Sequence, residues 1–425
     1  MLACVLALSL SAPAFAAKDE ATRAADTLYS LGLFSGTGTN ADGTPVYDLE
    51  RSPTRQEAIT MLVGLLGKKE EALAGSWDIP FTDVADWAKP FVGYAYANGL
   101  TSGTSATTFG GNDLVSAAQY LTFVLKVLGY EAGTHFQWDK AWELSDKIGL
   151  TDGRYSGETK TFTRGDVAII SRNALSVNQK GTVISLARKL EEEKAGGYRA
   201  WFYVDDMGAL SIQTNIDSSQ WDGYAIAIVW KQMGYSWYID TQSGHGKNVE
   251  YNCTSTLSSI DEEVVVNNPE LYVFRGSESR EIFWDHFEAM NSQQKAAEAL
   301  GEQFVCRIDL NTTLRCEKKY NAFQLTDLTI TVDEAAETET YVARIDGGIR
   351  AEGDYGLCYI GNMGGSMSYI GRGDGVLTFT RESGHFTRAG NTGTFWITHC
   401  THSINEKNEI VCTESLSTPL DYEFK

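Results

Sequence analysis

Proline is scarce, with seven in 425 residues, which leaves little room for long proline-rich linkers or disorder. Positive charge is scarce too: 35 Lys and Arg stand against 56 Asp and Glu, a formal net charge of −21. That balance excludes a general affinity for nucleic acid or for an anionic membrane surface, so any anion must be bound locally. Past the opening segment no apolar run approaches 18 residues, the length at which a helix begins to span a bilayer. Cysteine is missing between Cys4 and Cys253. The C-terminal half also has no serine nucleophile elbow, no His-Glu-x-x-His helix and no phosphate loop of P-loop spacing. No cofactor or metal is therefore implied.

What is present begins with "MLACVLALSLSAPAFA", an apolar run closed by Ala14-Phe15-Ala16. This is the small-x-small pattern at which signal peptidase cuts, so residues 1–16 read as a signal peptide and the mature chain as exported. No Lys or Arg precedes the run, a gap that a start further upstream would explain. With Cys4 set aside, Cys253, Cys306, Cys316, Cys358, Cys400 and Cys412 remain, an even number of six in an exported chain, which permits disulfides in any of 15 connectivities. Cys306 and Cys316 flank "RIDLNTTLR", and Cys400 and Cys412 flank "THSINEKNEIV". Both segments look like hairpins, which favours those two local bridges with Cys253–Cys358 as the remainder. Buried thiols are the alternative.

At 43% hydrophobic and 21% charged the composition is globular, and the length calls for two or more domains. Three stretches share one plan: "AADTLYSLGLFSG", "GYAYANGLTSG" and "AWELSDKIGLTDG". Each is an amphipathic helix ended by Gly32, Gly99 or Gly149, with a second glycine, Gly36, Gly103 or Gly153, four positions on. Glycine after a helix takes the left-handed conformation that closes it. A second helix then starts at "PTRQEAITMLVGLLG", "VSAAQYLTFVLKVLGY" or "FTRGDVAIISRNAL". Thr54 with Glu57, Ser116 with Gln119 and Thr163 with Asp166 all have capping-box spacing or a close variant. The expected organisation is three repeats over 18–180 (about 18–68, 81–131 and 135–180), a helix and linker at 181–197, and a β-rich domain over 198–425. In that last part "AIAIVW", "LYVF", "LTITV", "YVARI", "VLTFT" and "FWITHC" read as strands, with one helical insertion at 283–300.

The repeats resemble S-layer homology repeats, the modules that hold exported bacterial proteins on the cell wall, over about 40% of the chain. The middle one is closest, with Phe81-x-Asp83-Val84, Trp87-Ala88, Gly99-Leu100-x-x-Gly103 and Phe109. The outer two keep Thr54-Arg55-Gln56-Glu57 and Thr163-Arg164-Gly165-Asp166, where the family has Thr-Arg-Ala-Glu; the middle repeat has Ala117 in place of the arginine. The resemblance implies an all-α pseudo-threefold bundle with ligand grooves between units. It also implies a pyruvylated secondary cell-wall polysaccharide as ligand, its ketal carboxylate being the anion. Glycines 36, 103 and 153 would shape the groove rims.

Physical chemistry points to the same place. Free backbone N–H groups at a helix start favour an anion, and an arginine there adds bidentate donors suited to a carboxylate. Arg55 and Arg164 are thus the candidate anion ligands, supported by Thr54 and Thr163, with solvated surface arginines as the plainer alternative. Trp87 and Trp138 either pack between repeats or offer a face to a sugar. Asp83 either caps a helix beginning near Asp86 or touches sugar. His399 and His402 in "HCTH" point to opposite faces of a strand and do not suit one ion. The expected function is non-covalent anchoring of a cell-surface protein whose β-rich domain serves adhesion, assembly or ligand binding. A wall-anchored hydrolase and a lattice-forming surface-layer subunit are the competing readings.

Overall fold

The computed structural model describes residues 12–230, 235–240, 250–252, 264–276, 301–333, 335–336, 338–347, 354–361, 365–370, 375–382 and 392–423. Residues 1–11 of the expected signal peptide, the expected helix at 283–300 and Cys253 lie outside them. The chain forms a helical unit, ending at Lys180 and including Ile184–Gly196, and a β-rich unit of Gly181–Val183 and Gly197 onward.

The helical unit begins with α1 (Ala12–Ser30), followed by a small hairpin of β1 (Gly38–Thr39) and β2 (Pro45–Val46). Helices α2 (Arg55–Leu65), α3 (Lys69–Ala74), α4 (Lys89–Ala97), α5 (Ala117–Val127), α6 (Ala141–Lys147), α7 (Arg164–Ala174) and α8 (Leu186–Ala195) follow. The helix ends are set by glycine. Gly32, Gly99 and Gly149 have φ of 75°, 70° and 73°, and the next residue turns its N–H back onto the helix: Leu33 to Leu28, Leu100 to Ala95, Leu150 to Ser145. This is the bonding of a Schellman turn, which uses carbonyls the helix leaves over. The starts are set by capping boxes at Thr54/Glu57, Ser116/Gln119 and Thr163/Asp166. α2, α5 and α7 each pack on the other two. Their buried faces (Ile59, Leu62 and Val63; Tyr120, Leu121 and Val124; Val167, Ala168 and Ile170) meet Ala24, Ala25 and Leu28 of α1 in one core. Burial of each such large aliphatic side chain contributes about 1.5–3 kcal/mol. At its centre the Tyr120 hydroxyl meets the Ser171 hydroxyl at 2.7 Å.

Among the described residues the β-rich unit holds three sheets. One contains β3 (Ala200–Val204), β4 (Leu210–Thr214) and β7 (Glu250–Asn252). The second has the order β10-β9-β5-β6, from β5 (Tyr224–Trp230), β6 (Tyr235–Asp240), β9 (Glu270–Arg275) and β10 (Phe304–Asp309). The third is built from β8 (Val264–Asn267), β11 (Thr313–Asp333), β12 (Thr338–Asp346), β13 (Asp354–Gly361), β14 (Gly365–Ile370), β15 (Val376–Glu382), β16 (Thr392–Ile404), β17 (Ile410–Ser417) and β18 (Leu420–Glu423). Its main path runs β14-β13-β16-β17-β11-β12-β15. All six apolar runs singled out in the sequence lie on strands.

The 21-residue β11 joins two cores. Its register shifts between Lys319 and Phe323, where Asn321 takes a positive φ of 52°, a conformation asparagine tolerates. Such a bulge bends and twists the strand. Before it, Leu314 and Cys316 join a core with Phe202, Ile212 and Ile410. After it, Phe323, Leu325 and Leu328 join another with Tyr341, Phe379 and Phe395.

The cysteines are placed otherwise than expected. Cys306 lies on β10, paired with β9, while Cys316 lies on β11 in another sheet, so "RIDLNTTLR" is not a hairpin and no cross-strand Cys306–Cys316 bridge forms. "THSINEKNEIV" is a hairpin, but its register sets Cys400 opposite Glu414 and Cys412 opposite His402, two residues out of step. Cys358 faces Trp396 and Ser366 across its neighbouring strands. No disulfide joins two of the described cysteines.

Candidate functional site

The starts of α2 and α7 are not open anion sites. At α2 the capping box consumes the Glu57 and Thr54 amides. The Arg55 N–H donates to the Asp113 carbonyl at 2.8 Å and the Gln56 N–H to the Gly111 carbonyl at 3.2 Å. At α7 the Arg164 and Gly165 N–H groups donate to the Arg51 and Leu49 carbonyls, both at 2.9 Å. Each helix start is thus stitched to a loop elsewhere in the helical unit, and the backbone donors expected to meet an anion are already used. Any anion must be met by side chains.

There the two arginines part ways. Arg164, 5% exposed, donates from Nε to the Tyr47 carbonyl at 2.8 Å and from Nη2 to the Ser35 carbonyl at 3.4 Å. Its Nη1 lies 3.3 Å from the Met61 sulfur, and its guanidinium carbon lies 5.5 Å from the Phe34 ring centre. It clamps α7 onto the 34–49 segment. Arg55 is as deeply buried, 6% exposed, yet its Nε meets no acceptor among the described residues. Its guanidinium carbon instead sits 5.1 Å from the Phe109 ring centre and 4.9 Å from that of Phe123, a cation held by two aromatic rings. Burial weakens its hold on its proton, opposed by the Asp113 carboxylate. Neither arginine is a solvated surface residue.

The surroundings of Arg55 draw on α2, α5 and the loop before α5. Lys126 of α5 donates to the Gly99 carbonyl at 3.1 Å, and burial followed by the nearby Arg55 charge lowers its pKa. Gly110 has a φ of 76°. A Cβ there would stand 2.9 Å from an Asp113 carboxylate oxygen, while Arg55 Cδ at 3.7 Å would be in ordinary contact, so it is the left-handed backbone that favours glycine here. Asp83 caps no helix: its carboxylate accepts the Phe109 and Gly110 amides at 2.7 Å each and the Gly111 amide at 3.4 Å. Burial alone would raise its pKa, but these amides hold it below the usual value. Asp83 therefore fixes the loop that supplies Phe109, Gly110 and the Asp113 carbonyl to Arg55.

The remaining candidates are dispersed. Trp87 and Trp138 are 51% and 59% exposed, so neither packs in the core. Gly36 passes close to the Val46 carbonyl, and Gly103, φ 78°, lies against the Phe81 ring. Gly153, φ 73°, donates its N–H to Asp146 at 2.7 Å. At the start of α5, where the sequence has no arginine, Ala117 is 4% exposed and supplies no cation. A separate cavity of about 370 Å³ is lined by Glu20, Arg154, Tyr155, Arg172 and Asn173, among others. The chain's own Glu20 lies 2.7 Å from Arg154 and 3.2 Å from Arg172, and Arg154 is the main cause of its lowered pKa.

Phe109 belonged to a motif read from the sequence, but Lys126, Phe123 and Gly110 went unmarked as site residues. The available signal was Lys126 as the lone charge on a mostly apolar helix, "AAQYLTFVLKV". In the β-rich unit His399 stacks on Tyr355 at 4.5 Å. His402 is buried, with Nδ1 3.0 Å from the Gly208 carbonyl, and burial pushes its pKa down to about 4. The buried carboxylates there have partners: Glu270 with Arg307 and Tyr272, Glu339 with Tyr341, Glu414 with Lys318. Among the described residues no group of three or more His, Cys, Asp or Glu could hold a metal, and no helix is long and apolar enough to cross a membrane.

A family model for the S-layer homology domain matches residues 80–121, so the chain carries such a domain. It is 29% identical over 196 residues to the middle cell wall protein of Brevibacillus brevis, covering 42% of this chain and 18% of that one. It is 31% identical over 166 residues to a cell surface protein of Thermoanaerobacter kivui, covering 38% and 21%. An endoglucanase of a Bacillus species matches at 31% identity over 108 residues, covering 22% and 12%. The chain spans about a fifth or less of the length of these relatives. Together these similarities indicate a secreted protein of the cell surface.

Proposed function

We propose that the helical unit is an anchor of three S-layer homology repeats, related by a pseudo-threefold arrangement of α2, α5 and α7. It holds the chain on the bacterial wall by binding a secondary wall polysaccharide that carries carboxylates, with pyruvyl ketals as the anion. The observation that carries this reading is Arg55: a cation 6% exposed, framed by Phe109 and Phe123, whose Nε meets no acceptor among the described residues. A buried guanidinium nitrogen without an acceptor is costly, and removing that cost on binding favours the bound state. A carboxylate offers two acceptors in the geometry a guanidinium matches. Lys126 adds a second positive charge, and the aromatic walls suit the apolar face of a sugar. Arg164, bonded to two carbonyls, serves as a clamp. Exposed Trp87 is available for stacking on a neighbouring sugar. The strongest grip is therefore the Arg55 groove alone.

The β-rich unit is the presented part, serving adhesion, assembly or ligand binding. The match to an endoglucanase favours a second reading, a wall-anchored hydrolase, because it shows a related segment in an enzyme's chain. Pull-down of the full chain on purified wall sacculi tests the anchor: retention should be strong and should vanish once hydrofluoric acid has stripped the secondary polymer. Retention unchanged by stripping would overturn it.

A further inference from the structure

Among the described strands, β11 and β17 form the only parallel pairing on the main path of the nine-stranded sheet, and its register sets Cys316 directly beside Cys412. Each is 6% exposed, and a side-chain hydrogen bond links the two thiols. No other two described cysteines are register partners: Cys306 faces Val273, Cys358 faces Trp396 and Ser366, and Cys400 faces Asp354 and Glu414. Neighbouring strands stand about 4.8 Å apart, within the roughly 4.4–6.8 Å between Cα atoms that a disulfide spans. Cys316 and Cys412 also share one core with Leu314 and Ile410.

We propose that Cys316 and Cys412 form a disulfide in the exported protein, tying β11 to β17 across the parallel seam. The proposal rests on the chain's location at the cell surface, where disulfides persist, and not on the wall ligand. The oxidant is a disulfide of a small molecule or an oxidoreductase. The Cys316 thiolate attacks one oxidant sulfur and expels the other as a thiolate; Cys412, deprotonated in turn, attacks the Cys316 sulfur and expels the second. The two protons and two electrons lost by the cysteines end on two oxidant thiols. Hydrogen bonding from Cys412 lowers the Cys316 pKa against the effect of burial, which favours Cys316 as the attacking sulfur. Because both thiols are buried in the folded unit, exchange takes place while the sheet closes.

The test is peptide mapping by mass spectrometry of the full chain recovered from an expressing cell's surface, alkylated in denaturant without reductant and cut with trypsin. The expected product is Cys316–Lys318 joined to Asn408–Lys425, in nearly all molecules and lost on reduction. It should persist in a Cys306→Ser variant and in a Cys400→Ser variant. Alkylation of both Cys316 and Cys412 in the unreduced sample, or linkage of either to any other cysteine, would overturn the proposal. Wall binding has no part in this readout, so the anchor and the bridge can fail separately.

Discussion

Replacing Asp83 separates two roles that the sequence left open, contact with sugar or internal support. Its carboxylate accepts two amides at 2.7 Å, from Phe109 and Gly110, and a longer one from Gly111. A hydrogen bond to a charged group contributes about 1.5–3 kcal/mol. Asp83 is part-exposed, so the two short bonds are discounted by roughly half, leaving about 2–3 kcal/mol for Asp83→Ala. For a unit of this size that lowers Tm by roughly 5–10 °C, read by differential scanning calorimetry of the helical transition at pH 7. Retention on sacculi should fall with it, because the loop holding Phe109 and Gly110 against Arg55 loses its tie. The pH dependence has a definite sign. The folded pKa is depressed, so the carboxylate's stabilisation is present above its unfolded value near 3.8 and is lost as pH falls through the folded one. An Asp83→Ala variant with unchanged Tm and weaker retention would refute this reasoning and make Asp83 a sugar ligand.

The two arginines should respond oppositely. Arg164→Met strands the Tyr47 carbonyl and should cost about 2–3 kcal/mol by chemical denaturation. Arg55→Met replaces a buried cation whose Nε meets no acceptor among the described residues and should leave stability within about 1 kcal/mol of the parent, or above it. His402, with its pKa pushed down to about 4 against an ordinary 6.5, stabilises the fold fully above pH 6.5; that stability is lost as pH falls toward 4, because only the unfolded chain takes up the proton. The β-rich unit's urea midpoint should therefore drop by the equivalent of about 3 kcal/mol over that window, and His402→Gln should flatten the drop. A Cys316–Cys412 bridge closes a loop of roughly 100 residues, so the Cys316→Ser variant should lose about 4–5 kcal/mol, visible as a lower midpoint without reductant and no difference when both chains fold reduced.

Local signals in the sequence were read well because they are local in cause. Gly32, Gly99 and Gly149 end their helices left-handed, and all three capping boxes form, since each needs only residues within one turn. Alternating apolar residues marked the strands for the same reason. Register and partnership were not legible. The spacing of Cys306 and Cys316 suggested a hairpin, but the β11 bulge and the pairing of β10 with β9 are set by distant residues. Arg55 and Arg164 share a motif, yet what meets them comes from distant parts of the chain: the Tyr47 carbonyl lies 117 positions from Arg164, while Arg55 is met by the rings of Phe109 and Phe123. Trp87, read as core or sugar platform, is half exposed because its segment precedes α4 on the surface.

The most direct measurement is the affinity of the full chain for purified secondary wall polymer, parent against Arg55→Met, by isothermal titration calorimetry. Loss of a bidentate, charge-assisted contact worth about 1.5–3 kcal/mol predicts binding weakened by roughly ten- to a hundredfold, with the thermal transition of the helical unit unmoved. Parent-like affinity in the Arg55→Met variant would contradict the account and move the grip to another part of the chain.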